Sequence, residues 1–240
     1  MATLQVRSDS LLVTAIPAYA SIAKKLLMAV SGIVFVGFVI GHMLGNLQIF
    51  VGQDQLNTYA ETLQHLGAVL WIIRGFLAIF LILHVYTGLT LYLENRKSRP
   101  TKYIREDTVQ ASVSSRTMFF SGLGILIYVV YHLLHFTFLA TNPEYGDLVD
   151  AAGRPDVFSM IIAGYSNYYI SAAYILAMIV LAFHLNHAVP SLFQTLGLNS
   201  RRWRPRLERL GTIVAIVVLI GYVSIPVAVL LNLVSLPGGF

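Results

Sequence analysis

The sequence predicts an all-α integral membrane protein: a single domain over residues 1–240 with five transmembrane helices, the first four forming a bundle. Three observations carry this expectation. Of the 240 residues, 57% are hydrophobic and 11% charged, with a mean hydropathy of +0.73, whereas soluble domains carry about 25% charged residues. Five mostly apolar stretches, at about 23–48, 66–93, 117–140, 164–191 and 210–235, each reach the roughly 20 residues needed to cross a bilayer's hydrocarbon core. The connections between them alternate in charge.

That alternation predicts a topology. Arg7, Lys24 and Lys25 precede the first stretch. Arg96, Lys97, Arg99, Lys102, Arg105 and Arg116 fill the second connection, and Arg201, Arg202, Arg204, Arg206 and Arg209 the fourth. By the positive-inside rule these segments, with the N-terminus, face the cytoplasm, which suits the cell membrane. The first connection has Asp54 and Glu61 without a Lys or Arg, and the third has Glu144, Asp147, Asp150 and Asp156 against Arg154 alone. Both face outside, as does the C-terminus. Basic loops can also bind nucleic acid, but their position beside spans makes topology the better explanation, so the expected partner is the lipid bilayer and not nucleic acid.

Taken in order, residues 1–19 are mixed polar, without the basic, apolar and small-residue succession of a signal peptide, so the first helix is expected to remain in the mature chain. That helix carries Ser31-Gly32, then Gly37, Gly41 and Gly45 at four-residue intervals. Such a stripe suits a close helix contact or a flat group lying on the backbone. Residues 52–61 are polar and expected at the outer interface. Helix II ends at an interfacial stop, Tyr92 to Lys97. Asn142-Pro143 and Ala151 to Pro155 read as turns. No internal repeat or low-complexity tract is evident.

Four of the five stretches carry a histidine within the apolar run: His42, His84, His132 and His184. An ionisable ring at bilayer depth costs kilocalories per mole, so each needs a partner, a cavity or a role. At about 1.5 Å of rise per residue, His42, 17 residues past Lys25, and His132, 16 past Arg116, lie in the outer half. His84, ten residues before Glu94, lies in the inner half, and helix IV descends through His184 towards Arg201. Two histidine pairs at two depths suit two six-coordinate haems held across a four-helix bundle. Histidines serving a proton path or a transition metal are the alternative. The absence of cysteine excludes disulfides, thiolate ligation, cysteine-held iron–sulfur clusters and covalent haem attachment. Spacing leaves open the choice between His132 and His135 and between His184 and His187, each pair being three residues apart on one helix face. His65 falls at the outer start of helix II. Ser31, 11 residues before His42, returns to nearly the same face about 16 Å lower, where its hydroxyl would meet a haem propionate or its own helix carbonyl.

These residues resemble a known family. The fragments are Ser31-Gly32 with Gly41-His42-Met43-Leu44-Gly45-Asn46; His84-Val85-Tyr86-Thr87-Gly88 running to Asn95-Arg96-Lys97; Tyr131-His132-Leu133-Leu134-His135-Phe136; and Phe183-His184-Leu185-Asn186-His187-Ala188 leading to Phe193-Gln194-Thr195-Leu196-Gly197-Leu198. In this order they cover nearly the whole chain and resemble the five-helix dihaem cytochrome b anchors of succinate:quinone oxidoreductases, the succinate dehydrogenases and fumarate reductases. Ala188 departs from the glycine usual there.

The resemblance implies two haem b groups, with His84 and His184 the axial ligands of the inner haem and His42 and His132 those of the outer. It places Ser31 near the inner haem's propionate. It also implies a flavoprotein subunit, an iron–sulfur subunit and a membrane quinone, expected to be menaquinone, as partners in respiratory electron transport. Dicarboxylate chemistry would occur on the flavoprotein; this chain has no Gly-x-Gly-x-x-Gly fingerprint and no cluster cysteines. Quinone-site residues vary in the family. On chemistry alone Tyr59, Glu61 and His65, beside the outer pair, are the candidates, with interfacial anchoring and helix capping as the alternative.

Overall fold

The computed structural model describes residues 2–98 and 113–236, with side chains from residue 21 onward. Arg7 lies ahead of the described side chains, and Arg99, Lys102, Arg105 and residues 237–240 lie outside the described residues. Among the described residues there are eight α-helices: α1 (Ala2–Asn46), α2 (Gln53–His65), α3 (Ala68–Lys97), α4 (Val113–Arg116), α5 (Met118–His132), α6 (Val157–Ser166), α7 (Tyr168–Thr195) and α8 (Arg204–Leu230). No strand occurs among the described residues. Five helices are long and apolar enough to cross a membrane: Ser21–Phe50, Ala68–Lys97, Met118–Thr137, Tyr168–Thr195 and Arg204–Leu230. The chain is an all-α, multi-pass membrane protein.

The element boundaries correct the sequence reading in four places. The polar segment after helix I is itself a helix, α2. Gly52 (φ 131°) and Gly67 (φ 53°) bracket it in conformations that other residues avoid. The third connection holds an apolar helix, α6, where turns alone were expected. Asp156 caps it by accepting from Ser159 N, and Asn167, extended at ψ 116°, breaks the run and caps α7 by accepting from Tyr169 N and Ile170 N. Helix IV therefore starts at Tyr168 rather than 164. Helix V starts at Arg204 rather than 210 because Pro205 supplies the fixed φ of a first helical turn. Finally, helix III changes at His132 into a π-turn, Leu133–Thr137, closed by Phe138 N to Leu133 O at 2.7 Å.

The packing explains how the histidines are presented. α1 packs on α3 and α7, and α5 on α7 and α3, so contact runs round the edges of a four-helix ring and not across its diagonals. α8 lies outside the ring, chiefly against α7. There Gly211 permits the approach: an added Cβ would lie 2.7 Å from Pro190 Cδ and 2.9 Å from Asn186 O, the carbonyl that Pro190 cannot serve for lack of an N–H.

The two ends of the bundle differ in chemistry. At the basic end Lys24 pairs with Glu94, and Arg204 with Glu208 at 2.9 Å. At the acidic end α2 and α6 close over the spans, with Ile49, Leu56, Phe158, Ile161, Ile162, Ile225 and Val229 as a buried cluster. A polar clasp joins the two connections above it. Arg154 reaches Asp54 and Asp150, both at 2.8 Å. Asn57, fully buried, donates to Asp150 at 3.1 Å and Asp156 at 2.9 Å and accepts from Phe158 N at 3.0 Å.

Candidate functional site

The ring's diagonals carry the histidines. His42 on α1 faces His132 on α5, with ring centroids 5.9 Å apart and planes at 76°. His84 on α3 and His184 on α7 lie within electrostatic reach of one another at the other level. All four side chains are half-buried. His135 is fully buried; its Nδ1 meets Tyr174 OH at 2.9 Å and its Nε2 has no partner. It lies in the π-turn that follows His132. His132 and His135 both face Tyr174 and Phe136, so the two rings share one side of the helix, as their spacing predicts. His187 bonds Ser191 of its own helix at 3.1 Å and lines a polar cavity of about 400 Å³ at the basic end, with Asn186, Gln194, Glu208 and Thr212.

The basic-end pair has a feature that the sequence reading missed. Ser31 Oγ lies 2.9 Å from His84 Nδ1, and Ser121 Oγ lies 3.1 Å from His184 Nδ1. Each serine also donates to the carbonyl three residues back, Met28 O and Met118 O, both at 3.0 Å. A hydroxyl has one proton. When that proton goes to the helix carbonyl, the serine oxygen accepts, and the matching imidazole carries its proton on Nδ1 and a lone pair on Nε2; a serine that donates to Nδ1 instead matches the other tautomer. The first is the tautomer that a metal at Nε2 requires.

Ser31, fully buried, makes the bond to its own helix carbonyl, one of its two expected partners, and adds an imidazole. The signal for Ser121 was available: Ser31 and Ser121, each followed by glycine, stand 11 residues ahead of a histidine, His42 and His132, a short internal repeat where none was evident. Both glycines sit against the tethered rings, an added Cβ lying 3.9 Å from His84 Cε1 and 3.4 Å from His184 Cε1.

The acidic-end pair is held by rings. His42 stacks on Phe38 at 5.4 Å, and His132 stacks on Tyr128 at 5.8 Å and meets Phe136 edge-on at 6.0 Å. His132 Nδ1 is buried with no partner. No helix packs on Gly37 or Gly41, where an added Cβ would meet nothing within 4 Å; Gly45 instead receives the Tyr59 ring, which a Cβ there would strike at 2.7 Å. The glycine stripe is therefore not a continuous helix contact.

The donor set fits haem. Metal–imidazole bonds of about 2.0–2.1 Å on either side of one ion put two ring centroids roughly 6 Å apart, close to the His42–His132 separation. The 11-residue step from Ser31 to His42 sets the two levels about 16 Å apart along the axis. His42, His132, His84 and His184 would be the axial ligands.

The quinone candidates do not converge. Tyr59 leans onto α1 at Gly45, while half-buried Glu61 pairs at 4.0 Å with His65, one helical turn on and 77% exposed. No family model, no curated protein and no solved structure matches this chain.

Proposed function

We propose that this chain is the membrane-anchor cytochrome b of a succinate:quinone oxidoreductase, passing electrons between an iron–sulfur subunit and membrane quinone by way of two b haems. The observation that carries the reading is the pair of histidines on each diagonal of one four-helix ring, with the basic-end pair tied through Nδ1 to buried serines. Bound haem supplies one-electron redox chemistry at its iron. The protein's part is to hold the ligand rings, exclude water from the ring and span the bilayer. Lys24 and the arginines of the basic end face the cytoplasm and offer a docking surface for the soluble flavoprotein and iron–sulfur subunits; quinone chemistry falls at the acidic end, beside His42 and His132. Neither succinate nor fumarate is handled by this chain.

Reduced-minus-oxidised spectra of the purified protein, expressed with adequate haem, test the first step. Two b-type components are expected, and a spectrum without b bands would overturn the cytochrome reading in favour of a proton or metal transporter. Affinity purification from native membranes tests the second: a flavoprotein and an iron–sulfur protein are expected to co-purify, whereas a hydrogenase or formate dehydrogenase partner would reassign the complex.

A further inference from the structure

The two Ser-Gly segments do the same thing twice. Ser31 on α1 serves His84 on α3, and Ser121 on α5 serves His184 on α7, at 2.9 and 3.1 Å. Each serine is buried, at 0% and 8% exposure, each also bonds a carbonyl of its own helix, and each is followed by a glycine beside the ring. Neither acidic-end histidine makes a side-chain hydrogen bond of this kind, and His132 Nδ1 has no partner at all.

We propose that Ser31 and Ser121 are positioning residues that fix the tautomer and ring orientation of the basic-end histidines, and thereby set the redox potential of that centre alone. The inference rests on the haem reading. A hydrogen bond accepted from Nδ1–H raises the basicity of the ligating Nε2, and a more basic ligand favours the ferric state. The two serines serve His84 and His184, which would hold one and the same haem, so their effects would fall on the same centre. The division of labour follows from the ring: α1 and α5 each contribute one ligand to the acidic-end centre and one tether to the basic-end centre.

Potentiometric titration of the full complex, followed optically, tests this with Ser31→Ala, Ser121→Ala and the matching Thr variants, which keep the hydroxyl. Each Ala variant is expected to raise the midpoint of the same one of the two haem components, by about 59 mV for a tenfold change in the ferrous-to-ferric ratio, and to leave the other component in place. The Thr variants are expected to restore the parental value. Unmoved midpoints in both Ala variants, or shifts in different components, would overturn the proposal. If an Ala variant fails to retain haem, its Thr counterpart decides: two haems at parental potentials support the tether, and renewed loss refutes it. Failure of the haem reading itself is distinct, since the unsubstituted protein would then lack both components.

Discussion

At the basic end, His84 and His184 are each tied through Nδ1 to a serine of the neighbouring helix, whereas at the acidic end His42 and His132 are held by Phe38, Tyr128 and Phe136. A hydrogen bond fixes which nitrogen carries the proton as well as where the ring points; aromatic packing constrains only the ring. The acidic end has its order elsewhere, in the clasp of Arg154, Asn57, Asp150 and Asp156 that closes α2 and α6 over the spans. One end is set from within the ring, the other from above it.

The comparison can be broken most severely at the ligands. His184→Ala is expected to halve the haem content and leave the acidic-end component spectrally intact, and His42→Ala to do the reverse, as haem assayed per polypeptide would report. Loss of both haems from either substitution would mean that the two levels are one cooperative unit. The clasp comes next. Asn57→Ala leaves two carboxylates and a buried N–H short of a partner, a loss of about 3 kcal/mol, seen as a lower Tm with α2 and α6 exchanging amide hydrogens first. The basic-end component should keep its potential.

A smaller effect is expected from Tyr174→Phe, which strips the partner from His135 Nδ1 at about 1–3 kcal/mol, again read by thermal unfolding. The clasp also titrates. Its hydrogen bonds from Arg154, then from Asn57 and the loop backbone, hold the Asp150 carboxyl below its ordinary 3.8. For Asp156 burial pulls upward, and the bonds from Ser159, Asn57 and Gln53 outweigh it. Carboxyls depressed in the folded state contribute fully above 3.8 and lose that contribution as pH falls through the depressed values. Limited proteolysis should therefore open the α2–α6 cap only below about pH 4. The least effect belongs to His65→Ala, within about 0.5 kcal/mol for a side chain so exposed, with haem content unchanged.

The spans were legible in the sequence because five apolar runs and alternating loop charge report on the same bilayer. The break at Asn167 was not, since α6 and the start of α7 are equally apolar and only a capping side chain separates them. Depth counted from flanking charges put His42 and His132 at one level, where their rings meet. It could not see the π-turn, which has no local pattern of its own. Ser121 was hidden for a different reason. Its partner is on another helix, and a lone serine on an apolar face reads first as a residue bonding its own carbonyl, which it also does. Tyr59, Glu61 and His65 show the limit of proximity in sequence: a helix sends Glu61 and His65 to one side and Tyr59 to another.

The bond from Arg154 to Asp54 joins positions 100 residues apart. Between them lie the second and third spans, and the partners flanking Arg154 on the other side belong to the approach to the fourth. Membrane helices insert individually before they associate, so this contact has nothing to close upon until both hairpins stand side by side. It is thus a bond that the second and third spans must both be in place to allow.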